Sequence, residues 1–136
     1  MGLVIDTNVF IDVENKRFDL SRLAEFAHYG EAYIAAITVS ELLTGVHLAD
    51  TPTKRIQRSA FVESLIVRMP VLDFNEEVAR TYAELYAFFL RPRSQIKGNV
   101  HDLLIAATAI THGCAVLTSN VEDFKKIPGL TVECPK

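Results

Sequence analysis

Residues 3–8 read Leu3-Val4-Ile5-Asp6-Thr7-Asn8, an apolar triplet that ends abruptly at a carboxylate. Three β-forming residues in succession suit a short strand buried on both faces, as in a parallel sheet. An aspartate directly after such a strand stands at its C-terminal end. That edge is where open α/β sheets bind ligands. An ionised carboxylate is costly to bury unless it is paired or bound to a metal. Asp6 therefore poses the problem for the rest of the chain: which cation or proton it holds.

Outward from this strand, helical and extended stretches alternate. Thr7 caps a short helix over residues 9–13, ended by the charged stretch 14–17. Ser21 starts a second helix striped by Leu23, Phe26 and Ala27, and Gly30 stops it. Residues 33–37 read as the second strand, and Thr38 opens a third helix with Val39, Leu42, Leu43, Val46 and His47 at helical spacing. A turn at 50–53 leads to a helix over 54–68, with Ile56, Ala60, Ser64 and Val67 in one row and Phe61 and Leu65 beside it. Residues 70–74 form a third strand. Asp73 or Asn75 then caps a long helix to Leu90, striped by Val78, Tyr82, Leu85 and Phe89. Residues 91–99, with Pro92 and Gly98, form a loop, and a helix over 101–112 ends at Gly113. Residues 115–117 make a fourth strand and 130–132 a fifth at an edge. Strands alternating with helices, without room for tight hairpins, predict an α/β sandwich with a mainly parallel sheet.

The 136 residues suit one domain spanning 1–136, and an apolar fraction of 49% supplies a core. A net charge of −3 argues against loose, purely electrostatic nucleic-acid binding. It leaves room for a nucleic-acid enzyme whose acidic centre is neutralised by metal ions. No apolar run approaches the roughly 20 residues that span a bilayer. The chain enters its first strand without a basic n-region, so a cytoplasmic protein is expected, with Cys114 and Cys134 as lone thiols.

Three further places carry usable acids: Glu41 in the third helix, Asp102 in the first turn of the helix over 101–112, and the loop after the fourth strand with Asn120, Glu122 and Asp123. In a parallel sheet, Asp6 and residues 118–124 share the C-terminal edge, and Glu41 and Asp102 enter from neighbouring loops. Two like charges about 4 Å apart cost roughly 4 kcal/mol at an effective dielectric of 20. Such a cluster persists only by binding cations or shifting its pKa values. An all-oxygen donor set suits Mg²⁺ or Mn²⁺, and its natural chemistry is phosphodiester cleavage.

Each acid also has a plainer reading. Thr38-Val39-Ser40-Glu41 is a capping-box pattern, so Glu41 could serve only its own helix start. Asp102 could complement a helix dipole behind an Asn99 cap, although Ala106 and Ala109 on the same face bring that helix close to the sheet. Asp123 reads first as a surface turn acid. His28, His47, His101 and His112 lack metal-ligand spacing, though His101 adjoins Asp102. The basic groups Arg91, Arg93 and Lys97, and Lys54, Arg55 and Arg58, are either solvated faces or phosphate contacts. Thr118 and Ser119 are turn hydroxyls or supports for the acids.

The strings VIDTNVFID, TVSELLTGV and HDLLIAATAITHGCAVLTSNVEDFKKIPGL, in this order, resemble the PIN-domain proteins, and within them the VapC toxins of bacterial toxin–antitoxin pairs. The resemblance implies a PIN-like three-layer α/β/α sandwich and a Mg²⁺- or Mn²⁺-dependent endoribonuclease. It maps Asp6, Glu41 and Asp102 onto the first three family acids, with Asp6 and Asp102 as main metal ligands. The fourth acid of many PIN domains is replaced here by Asn120, with Asp123 or Glu122 available to compensate. Thr7 and Thr118 match hydroxyls that orient the site. Arg93 and Lys97 are expected to steady the RNA backbone. The family further implies a homodimer and a VapB-type antitoxin partner.

Two rivals stand against this. A phosphatase of the haloacid-dehalogenase type needs a second acid two residues after Asp6, where this chain has Asn8. A non-catalytic PIN-like module that binds RNA or a partner draws its support from the amide at Asn120.

Overall fold

The computed structural model describes residues 1–91 and 99–135. Strand β1 (Leu3–Ile5) is fully buried and passes directly into helix α1 (Thr7–Glu14). A 3₁₀ segment, Leu20–Tyr29, leads to β2 (Ala32–Ala35), α2 (Ala36–His47) and α3 (Pro52–Arg68). Then follow β3 (Val71–Leu72), α4 (Glu76–Leu90), α5 (Val100–Thr111), β4 (Ala115–Leu117), α6 (Val121–Phe124) and β5 (Val132–Glu133).

The five strands form one sheet in the order β3-β2-β1-β4-β5, with every pairing parallel. Period-two alternation sorts the strand residues between two cores. Leu3, Ile5, Ile34, Ala115 and Leu117 face Val9, Phe10 and Leu65. Val4, Ala35 and Val116 face Val78, Leu85, Leu103 and Ala106. Helices therefore cover both faces, and the α/β/α sandwich is the observed architecture.

The chain runs outward from β1 through β2 to β3, then returns to the opposite side of β1 for β4. The reversal makes the C-terminal ends of β1 and β4 the switch point of the sheet, where open α/β sheets carry the crevice that binds ligands. Asp6 stands at the end of β1, and its N–H donates to Leu117 O at 2.9 Å, which ties that end to the end of β4.

Helix α5 can lie close to the sheet because Ala106, Ala107 and Ala109 are all completely buried. This approach sets the height of Asp102 at the helix start. An Ala106→Leu substitution puts three extra carbons where no space exists and is expected to destabilise the protein by about 1–3 kcal/mol in urea unfolding.

Several element boundaries differ from the expectation. Asp6, not Thr7, occupies the N-cap position of α1. The segment after Ser21 is 3₁₀ with Asp19 as its cap, and no residue in it is fully buried. The expected row Ile56–Val67 points outward, with Ile56 and Val67 exposed, while Val62 and Leu65 turn inward. Helix α3 carries two apolar rows, and packing selects the one that continues into the Leu65 and Met69 core. The α4 stripe agrees: Val78 and Leu85 are buried, and Tyr82 and Phe89 pack against them.

Candidate metal centre

Asp6 is only 1% exposed. Its carboxylate Oδ2 accepts a hydrogen bond from Thr118 Oγ1 at 2.8 Å. Burial raises its pKa to about 6, opposed first by the Thr118 hydroxyl; Glu41 adds to the rise, and the N–H groups of Thr7 and Asn8 oppose it. The position explains the conflict. The end of a buried strand removes water, while the start of α1 supplies N–H donors that favour an anion.

Glu41 enters from α2. The strand–helix junction lies earlier than its sequence indicates: β2 ends at Ala35, which takes the N-cap position of α2 without a side-chain bond. Thr38 lies inside the helix and is fully buried, so the capping box does not form and Glu41 does not serve its helix start. Glu41 Oε1 instead accepts from Thr7 Oγ1 at 2.7 Å. The same Thr7 oxygen lies 3.0 Å from Thr38 Oγ1. A hydroxyl has one proton and a carboxylate only accepts, so Thr7 donates to Glu41 and accepts from Thr38.

Asp102 lies in the first turn of α5, whose cap is Asn99, with its side-chain oxygen accepting from the His101 N–H at 2.9 Å. The Asp102 pKa is raised to about 6, first by burial and then by Asp6, Asp123 and Glu41 in that order, with His101 opposing them. Asp102 therefore does more than complement a helix dipole, since it stands within electrostatic reach of three other carboxylates.

The loop after β4 completes the rim. Thr118 is fully buried; its Oγ1 bonds Asp6 and also accepts from the Asn120 N–H at 2.9 Å. Asn120 Nδ2 donates to Asp123 Oδ2 at 2.8 Å, which holds that exposed acid on the side of Asp102. Glu122 pairs instead with Lys125 at 2.8 Å. Arg93 and Lys97 lie outside the described residues.

Two features of the site lie outside the local sequence pattern. Thr38 has the pattern of a cap, whereas it is a buried link in a hydroxyl chain reaching Glu41. His101 adjoins Asp102 in sequence, which suggests at most a contact with substrate, yet its Nδ1 lies 3.1 Å from Glu41 Oε2. Nothing in the local pattern announces either contact, because each joins residues 31 or more positions apart.

The donors suit a hard divalent ion. Asp6, Glu41 and Asp123 all act on Asp102 as like charges at the switch point, and such a gathering calls for a cation. Among the described residues no three His, Cys, Asp or Glu groups close tightly enough to chelate one ion by themselves. Mg²⁺ does not require that, because it keeps several waters and is held through one or two carboxylates. Asp6 and Asp102 are the carboxylates that would hold such an ion.

A family model described as PIN domain matches residues 3–130. The chain is 43% identical over 132 residues to Ribonuclease VapC1 of Rickettsia felis, covering 97% of this chain and 95% of that protein. Its fold superposes on a chain of the VapBC2 complex of Rickettsia felis bound to a promoter DNA fragment, with TM-score 0.86, 29% identity and full coverage of both chains. It also matches a chain of VapBC-5 of Mycobacterium tuberculosis, a member of the VapBC family of toxin–antitoxin systems, with TM-score 0.75, 29% identity and coverage of 99% and 98%.

Proposed function

The chain belongs to the PIN-domain family, and we propose that it is the endoribonuclease toxin of a type II toxin–antitoxin pair, dependent on Mg²⁺ or Mn²⁺. One observation carries the reading: residues 6, 41, 102 and 123, far apart in the chain, converge on the crevice where the sheet order reverses. Among relatives, Ribonuclease VapC1 is named for the activity, and the structural neighbours are toxin–antitoxin complexes. By the same likeness a VapB-type antitoxin is the proposed partner and a homodimer the proposed assembly. No helix among the described residues is long and apolar enough to cross a membrane.

Asp6 and Asp102 hold the ion, directly or through water. Bound there, it supplies an activated water and offsets charge on the leaving oxygen of the RNA phosphodiester. Thr118 donates to Asp6 Oδ2 and so orients the carboxylate. Glu41, held by Thr7, stands ready to accept the proton of the attacking water. Asn120 offers an amide where many PIN domains have a fourth acid. Asp123, one helical turn further on, supplies the missing charge, whereas Glu122 is engaged with Lys125. Arg93 and Lys97 are the proposed RNA-backbone contacts.

The amide at Asn120 is also what favours a second reading, an RNA-binding module without catalysis. Incubation with transfer, messenger and ribosomal RNA, with Mn²⁺ or EDTA, separates them. Cleavage in Mn²⁺ alone supports the enzyme; binding without cleavage under both conditions supports the module.

Restoring the acid tests the charge argument. Asn120→Asp replaces the Asn120–Asp123 hydrogen bond by a like-charge contact. Without metal it is expected to lower the melting temperature by a few degrees, about 1 kcal/mol. With Mn²⁺ it is expected to bind the ion about tenfold more tightly, read by calorimetric titration.

A further inference from the structure

We propose that His101 is a positioning residue of this centre, fixing the Glu41 carboxylate through Nδ1 and thereby the arrangement in which the acids receive a divalent ion. The inference rests on the metal-dependent reading of the site given above.

Glutamate is a poor candidate for fixed geometry, because ordering its side chain costs on the order of 1.5–2 kcal/mol of rotamer freedom. Glu41 is held from two sides by two different helices. Thr7, at the start of α1, donates to Oε1 at 2.7 Å, and Thr7 is itself seated against the buried Thr38. His101, at the start of α5, places Nδ1 3.1 Å from Oε2. Each carboxylate oxygen thus has its own donor, and the plane of the carboxylate is defined.

His101 is well placed to do this. Its backbone N–H is bonded by the Asn99 cap, which anchors the first turn of α5. Its neighbour in that turn is Asp102, so the imidazole couples the orientation of Glu41 to the position of Asp102. The ring side chain is 51% exposed. Its removal therefore leaves no cavity in the core, and a packing role does not account for it. Donation from Nδ1 turns Nε2 away from Glu41, since the two nitrogens lie on opposite sides of the ring.

That opposition supplies the test. The amide nitrogen of Asn falls near the place of Nδ1, and that of Gln near the place of Nε2. His101→Ala, His101→Asn and His101→Gln are compared with the parent by calorimetric titration of Mn²⁺, by RNA cleavage kinetics and by melting in EDTA. Partners that orient metal ligands typically change affinity or activity 10–100-fold. The Ala variant is expected to bind Mn²⁺ about tenfold more weakly and to lose about tenfold in kcat with little change in KM. Asn restores most of both; Gln restores neither. All variants melt within about 2 °C of the parent in EDTA.

Rescue by Gln but not Asn would overturn the proposal in favour of direct substrate contact through Nε2. Parent-like Mn²⁺ affinity in all three variants would overturn it in favour of a plain surface residue. A large loss of melting temperature in EDTA would overturn it in favour of a role in the fold. Asp6→Asn, titrated alongside, separates the two levels. If it loses Mn²⁺ while the His101 variants stay unchanged, only the positioning role falls. If it binds Mn²⁺ like the parent, the metal-centre reading falls and the positioning role with it.

Discussion

Asp6→Asn is expected to lose RNA cleavage by about a thousandfold or more while melting at a higher temperature than the parent in EDTA. The two effects have one cause. At pH 7.5 the buried Asp6 carboxylate is ionised in a place that opposes its charge. A pKa raised from 3.8 to about 6 corresponds to about 3 kcal/mol of penalty in the folded state. The amide has nearly the same shape and no charge, and its oxygen can still accept from Thr118. Part of that penalty is therefore recovered, and a gain on the order of 5 °C is expected for a chain of this size. The same amide offers the ion no anionic oxygen, so the catalytic water is neither held nor activated. Adding Mn²⁺ is expected to raise the melting temperature of the parent and leave that of Asp6→Asn unchanged. Cleavage assays on a shared RNA substrate, together with melts in EDTA and in Mn²⁺, read all three outcomes. A destabilised Asp6→Asn that still cuts RNA would mean that Asp6 serves structure rather than chemistry.

Lowering the pH from 7 to 5 is expected to weaken Mn²⁺ binding and cleavage about a hundredfold. Burial is the main cause that raises both Asp6 and Asp102 to about 6; Glu41 adds to both, and Asp6 and Asp123 add to Asp102. At pH 5 each such group is ionised in about one molecule in ten, and ion binding requires both to be ionised. Metal-free stability runs the opposite way. Between about pH 4 and 6 the folded chain keeps protons that the unfolded chain has released, so stability falls as the pH rises through that window. Calorimetric titration at pH 5, 6 and 7 at constant ionic strength measures the first trend, and urea unfolding in EDTA measures the second. Flat profiles in both would contradict the shared origin of the two shifts.

Much of this was legible in the sequence because burial on both faces leaves a strong mark. Leu3–Ile5 and Ala115–Leu117 are uniformly apolar, and they are the two central strands that flank the crevice. The alanines of α5 indicated a close approach to the sheet, and Asn99 indicated where that helix starts. The resemblance to PIN domains singled out residues 6, 41 and 102. Less legible was whatever depends on tertiary choice. Ile37 has strong β-propensity, but the chain turns into α2 at Ala36, which moved Thr38 from a cap into a buried hydroxyl link. The outward row of α3 was as apolar as the inward one, so periodicity alone had no basis for choosing between them. Asp123 looked like any surface turn acid, because its relation to Asp102 exists only across the sheet edge.

The most direct test is the anomalous scattering of a crystal of the parent protein soaked in Mn²⁺ at pH 7.5. A peak is expected between Asp6 and Asp102, bordered by Glu41 and Asp123. A crystal that takes up Mn²⁺ only elsewhere, with both aspartates free of it, would mean that these carboxylates are not a metal centre.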